Sequence, residues 1–391
     1  SNGVEACIKH FAANNQETHR MVIDAVVDDR SLWEIYLTAF EIAIKEGHAR
    51  SVMSSYNRLN GTYTNEASWL LDDILRKKWK FEGSVITDWG GSNDRIAGLI
   101  AGNDLEMPGT GGESNNEVLE AVRSGVVGED VVDKAVDRLI TAAFATDKAL
   151  KASPDSFDEA AHHQMARKAA EESIVLLKNE SSILPFAPGL KVALVGDFAR
   201  TPRYQGAGSS LVAPTRLVAP LECLEASDID IIGFEPGFKR FGRKSRALIK
   251  KACALAANAD VILMYLGLDE ATEAEGIDRV HIGLPDNQIQ LLKALSMLGK
   301  DIVVVLSCGS VVEMPWINLP RAVIHGYLGG QAGAEAMVSV LTGEVNPSGK
   351  LAETYPLHYA DIPSARNFPG GEATVEYREG LSIGYRYFDR H

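Results

Sequence analysis

Apolar residues along this chain follow two alternating rhythms, short dense runs and longer stretches spaced as on one face of a helix. In the first third the runs "ACIKHFA", "SVMSSYN", "GSVITDW" and "NDLEMP" predict strands. Between the first two, "SLWEIYLTAFEIAIKEG" predicts a helix opened by a Ser31–Glu34 capping box and stopped at Gly47. "NEASWLLDDILRKKWKFEG" predicts the next helix, with basic residues in its last turns where the helix dipole favours them. Strand, helix, strand, helix implies parallel β/α units.

Residues 109–165 predict a helix-rich connector, with turns at "PGTGGESNN" and "ASPDS". A second α/β unit begins near "MARKAAEESIVLLKNE". Its runs "KVALVGD", "ADVILMYLG", "DIVVVLSCG" and "AVIHGYLGG" are too continuously apolar for one wet face, so they predict strands of a parallel sheet buried on both sides. Helices are expected at "KSRALIKKACALAANA", "DNQIQLLKALSML" and "GAEAMVSVLTG", the last stopped by Gly343. The fold class is therefore α/β: the second half of a (β/α) barrel, followed by an α/β sandwich with a mostly parallel sheet. The expected boundaries are 1–148 for the half-barrel, 149–165 for a linker, 166–361 for the sandwich and 362–391 for an extended tail that wraps over a neighbouring surface.

Four barrel strands leave open edges and an uncovered core. A complementary half-barrel is expected upstream or on another chain, and the natural N-terminus is expected to lie before the first residue here. Alone, the polypeptide is expected to aggregate or to show only trace activity.

Composition narrows the partners. With 391 residues, 46% hydrophobic and 24% charged, the chain reads as an ordinary two-domain globular protein. A formal charge of -14 argues against nucleic acid, which demands clustered Lys and Arg, and suits a neutral ligand such as a sugar. No apolar run approaches the roughly 18–20 residues of a membrane span. Cys7, Cys223, Cys253 and Cys308 are scattered without metal-ligand spacing. Buried free thiols, a cytoplasmic location, no metal and no organic cofactor are the expectations; a homo-oligomer is compatible with them.

Candidate chemistry begins at "VITDWGG". Asp88 ends a parallel strand, where barrel enzymes build their active sites, and Trp89 offers a flat apolar face for a sugar ring. The alternative is a helix cap or turn residue. "KHFAANNQETHR" places Lys9, His10 and Arg20 near another strand end, and "VMSSYN" adds Tyr56. Singly these read as surface charges, a core histidine and packing; together they read as a pocket for a hydroxyl-rich ligand. In the second unit, "GLDEATEAEGIDRVHIGLP" crowds carboxylates into a loop after a parallel strand, with Asp278 and Arg279 placed to anchor it. A solvated acidic loop is the alternative. Glycoside hydrolysis needs two carboxyl groups, one ionised and one protonated, and one from each domain would meet that need across a cleft.

"KHFAANNQETHR", "VMSSYN", "FEGSVITDWGG", "ESIVLLKNESSILPF", "EGIDR" and "TGEVNPSGKLAETYP" together resemble glycoside hydrolase family 3, in its β-glucosidase branch. The resemblance implies a retaining exo-acting β-glucosidase acting on a small or oligomeric β-glucoside. It makes Asp88 the nucleophile, places Trp89 at the cleaved sugar and gives Lys9, His10, Arg20 and Tyr56 to the sugar hydroxyls. Ser209 in "GAGSS" matches a second-domain residue that reaches the same sugar. Glu275 is the best match for the acid/base, with Glu273 and Glu270 as rivals. "KHFAANN" departs from the KHFPGHG-like motif of the N-acetylglucosaminidase branch. The upstream half-barrel would supply a further Asp and Arg. A β-xylosidase, a broader exo-β-glycosidase or a catalytically silent sugar-binding relative are the alternatives within the family. A nucleotide-binding module is disfavoured because the glycines of "VALVGDFARTPRYQGAGSS" fit neither GxGxxG nor a P-loop.

Overall fold

The computed structural model describes residues 4–153 and 156–391; the opening "SNG" and two residues of the "ASPDS" turn lie outside the described residues. The chain forms two compact units, one of residues 1–155 with 363–391 and one of residues 156–362.

In the first unit the strands Cys7–Phe11, Ser51–Ser54 and Ser84–Ile86 pair in parallel in that order. "NDLEMP" adds one parallel bridge, Ile86 to Leu105, instead of a full strand. The reason is local: the Val85 N–H that would extend the ladder donates to the Asp104 carboxylate at 2.8 Å. The first connecting helix starts earlier than predicted. Asp28 is its N-cap and accepts from Ser31 N at 3.0 Å, while Glu34 pairs with Arg30 at 2.7 Å, so no Ser31–Glu34 box forms. At its end the left-handed residue is His48 (φ 53°). Gly47 is needed for a different reason, since a Cβ there would sit 2.7 Å from the Ala43 carbonyl. Helix Trp69–Lys78 buries Leu70, Leu71, Ile74 and Leu75 and carries Arg76, Lys77 and Lys78 in its last turn.

The tail returns to this unit. Thr374–Glu376 pairs in parallel with Asp24–Val26 at the edge of a small sheet that also holds Arg58–Leu59 and Thr62–Tyr63. Val375 joins the first unit's core, and the Tyr377 hydroxyl donates to the Ala13 carbonyl at 2.8 Å. Much of the stretch expected as a linker is helical: Glu129–Ala152 enters it, and Glu159–Ser173 starts within it behind the Asp158 cap.

The second unit is built on a six-stranded sheet in the order Val175–Asn179, Ala322–His325, Asp301–Ser307, Val261–Gly267, Lys191–Val195, Asp230–Glu235. All pairs are parallel except the first. The four predicted strands form its centre, and every residue of Val261–Gly267 is buried, which is why that run carries no polar alternation. Helices Arg246–Ala256, Asp286–Ser296 and Gly333–Thr342 follow the predicted segments, and Gly343 ends the last in the left-handed region. A partial parallel barrel followed by an α/β sandwich is the fold class predicted from sequence.

All four cysteines are free, but only Cys308 is buried; Cys7 is exposed, because its strand alternates and its first residue points outward. Among the described residues no helix is long and apolar enough to cross a membrane.

Candidate active site

Asp88 follows strand Ser84–Ile86 and is 9% exposed. Its Oδ1 accepts from Trp89 N at 2.7 Å, which fixes the carboxylate against its own loop. Its Oδ2 lies 3.2 Å from His10 Nε2, at the end of strand Cys7–Phe11. Burial holds the His10 imidazole below its usual pKa, and the charges of Lys9 and Arg20 push the same way, against Asp88 and Glu17. A neutral His10 can meet the carboxylate only through an Nε2–H. Lys9 itself is exposed beside it.

Tyr56 is buried, and its hydroxyl donates to the Trp89 carbonyl at 3.0 Å. Arg20 stacks on the Tyr56 ring with Cζ 5.0 Å from the centroid, and pairs with Glu17 at 2.8 Å. The Trp89 side chain is 63% exposed. The first unit thus brings Asp88, His10, Trp89, Tyr56 and Arg20 into one contiguous set. Glu17 belongs to that set and escaped the sequence reading, although its place three residues before Arg20 was a usable signal.

The acidic loop of the second unit separates its carboxylates by environment. Glu273 accepts from Gly309 N at 3.0 Å and from the Ser310 hydroxyl, and lies 3.6 Å from Arg203. Glu270 faces Arg240 at 3.4 Å and Arg203 at 3.9 Å. Glu275 is exposed, and its Oε2 accepts from Ser209 N at 2.7 Å and from the Ser209 hydroxyl. Gly208 (φ +107°) permits this approach: a Cβ there would lie 2.5 Å from that of Glu275. Buried Arg203 ties the two loops together, donating to the carbonyls of Gln205, Leu268 and Glu273, each at 2.9 Å. Arg279 anchors the far side by donating to the Val311 carbonyl at 2.6 Å. Among the described residues no three His, Cys, Asp or Glu side chains gather as a metal site.

The model of the Glycosyl hydrolase family 3 N terminal domain matches residues 1–142, and that of the family's C-terminal domain matches residues 174–385. The chain belongs to glycosyl hydrolase family 3. Among curated relatives it is 46% identical to thermostable beta-glucosidase B of Acetivibrio thermocellus, over 100% of this chain and 52% of that one. It is 43% identical to the exo-alpha-(1->6)-L-arabinopyranosidase of Bifidobacterium longum, over 100% of this chain and 53% of the relative. The crystal structure of the Bifidobacterium adolescentis GH3 beta-glucosidase superposes with a TM-score of 0.94 at 45% identity, covering 99% of this chain and 57% of that one. Beta-glucosidase 3B from Thermotoga neapolitana, in complex with alpha-D-glucose, gives 0.89 at 33% identity, over 99% and 59%. The chain spans about half the length of the curated relatives it matches.

Proposed function

We propose that the protein is a retaining exo-acting β-glucosidase in which Asp88 is the nucleophile and Glu275 the acid/base. The observation that carries this reading is the setting of Asp88: a nearly buried carboxylate at the end of a parallel strand, 3.2 Å from His10 and beside an exposed Trp89. Names of relatives add the substrate class, since both a β-glucosidase and a glucose-bound structure are similar over almost the whole chain.

In this mechanism Asp88 attacks the anomeric carbon while Glu275 gives its proton to the leaving oxygen. The ionised Glu275 then takes a proton from water, which attacks the glycosyl ester and frees Asp88. Both substitutions invert, so configuration is retained. Lys9, His10 and Arg20 supply donors to the sugar hydroxyls, Tyr56 holds the Trp89 backbone, Trp89 packs on the ring, and Ser209 orients Glu275 and reaches the same sugar. Glu275 is favoured over Glu273 and Glu270 because it stands immediately before the Gly-Ile-Asp-Arg run that matches the family pattern. The activity is proposed for the chain together with a complementary half-barrel.

A second reading has its own support in the arabinopyranosidase relatives. An α-L-arabinopyranoside presents its leaving group as a β-D-hexoside does, so the same carboxylates would serve. A panel of aryl β-glucoside, α-L-arabinopyranoside and β-xyloside separates these substrates. A 2-deoxy-2-fluoroglucoside is expected to trap an ester that peptide mapping finds on Asp88, and Asp88→Ala to abolish turnover. Label on another residue, or near-normal turnover by the variant, refutes the assignment.

A further inference from the structure

We propose that Asn65 is a positioning residue of the catalytic loop, setting the pose of Asp88 and Trp89 against Tyr56; the proposal rests on the reading of Asp88 as nucleophile. Asn65 lies in the short helical turn Thr64–Glu66 and is 1% exposed. Its amide spends both N–H groups on loop backbone, donating to the Ser55 carbonyl at 3.0 Å and to the Gly91 carbonyl at 2.8 Å. Its Oδ1 accepts from the Ser54 hydroxyl and from Asn103 Nδ2, the latter at 3.1 Å.

These two carbonyls are not arbitrary. Gly91 N donates to the Asp88 carbonyl at 2.9 Å, closing the turn that presents Asp88 and Trp89. Ser55 precedes Tyr56, whose hydroxyl returns to the Trp89 carbonyl at 3.0 Å. Asn65, Ser55, Tyr56, Trp89 and Gly91 therefore form a closed ring of covalent and hydrogen bonds between two strand ends. The fit is close: a Cβ on Gly91 would lie 3.2 Å from Asn65 Nδ2 and 3.3 Å from the Tyr56 ring. Only a side chain with two donors and an acceptor on one planar head fills this place. An aspartate keeps the shape and the Oδ1 acceptor but turns an oxygen toward two carbonyls, so the loop must move. A displacement of about 1 Å at a reacting group costs on the order of 10²-fold in rate.

The test compares Asn65→Asp with Asn103→Ala, each in the complete natural polypeptide. Asn103→Ala removes one of the two donors to Asn65 Oδ1, the Ser54 hydroxyl remaining, and leaves both loop bonds in place. Inactivation by a 2-deoxy-2-fluoroglucoside should slow about 10²-fold in Asn65→Asp, with the loss in kcat more than in KM. Asn103→Ala should stay near wild type even where its Tm falls as far. Asn65→Ala, which removes both donors without turning an oxygen toward the Ser55 and Gly91 carbonyls, should slow inactivation too and decides the matter if Asn65→Asp does not fold. Near-wild-type inactivation of Asn65→Asp, or rates that simply track Tm across all variants, overturns the proposal. The wild-type label site tests the Asp88 reading separately.

Discussion

His325 offers a test in which the sign and size of the effect both follow from burial. It ends strand Ala322–His325 with no exposed surface. Nδ1 lies 3.2 Å from the Leu306 carbonyl and 3.4 Å from the Tyr327 N, and Nε2 lies 2.6 Å from the Tyr355 hydroxyl. Burial lowers the pKa from 6.5 to about 4, against smaller upward pulls from the Leu306 carbonyl and Glu273. Above pH 6.5 the ring is neutral in both folded and unfolded chains and contributes nothing to the pH dependence. As pH falls from 6.5 toward 4 the unfolded chain takes up a proton that the folded one refuses, so stability is lost on acidification. At about 1.4 kcal/mol per pH unit the loss reaches about 3 kcal/mol near pH 4. Urea unfolding followed between pH 4 and 7.5, for wild type and His325→Gln, reads the difference directly. The variant can be less stable throughout; its acid-side slope should still be flatter. Glu353, whose carboxyl burial pushes upward, titrates in both proteins and cancels in the difference. Parallel profiles would refute the reasoning.

Asp104→Ala should cost about 3–5 kcal/mol by thermal melting, because it leaves the nearly buried Arg76 without its carboxylate and takes the same partner from the half-buried Arg138; those contacts are 2.7 and 2.8 Å to a side chain only 1% exposed. Glu275→Ala should slow substrates with poor leaving groups far more than activated aryl glucosides, and azide should restore the rate as the β-glycosyl azide. If Glu273→Ala gives that pattern instead, the acid/base role moves two residues upstream.

How much of this was legible in the sequence depends on the range of the contacts involved. The central strands of the second sheet were readable because burial on both faces leaves a continuous Val/Ile/Leu signature, as in Val261–Gly267. Its edges were not: Asp230–Glu235 is only partly covered and carries Gly233 and two acids. Asp28 is not legible as the cap, because Ser31 and Glu34 offer a motif with the same spacing and only the folded backbone decides between them. At the candidate site, Asp88, His10 and Tyr56 announce themselves by standing at strand ends. Asn65 and Asp104 do not, since each acts through bonds to backbone or to charges far away in sequence. Which carboxylate of the acidic loop is engaged by arginine likewise depends on Arg203 and Arg240, dozens of residues upstream.

The pairing of Thr374–Glu376 with Asp24–Val26 means that the second unit is spliced into the first, with the polypeptide crossing over once in each direction. During synthesis, the first unit must therefore wait, with that sheet edge and the Val375 site unfilled, until the whole inserted unit has left the ribosome. A protease cut at the junction near residue 155 likewise should not release a free first unit. The amino-terminal piece stays gripped by a strand whose covalent attachment is to the other half, so the two fragments are expected to co-elute until denaturant unpicks that strand.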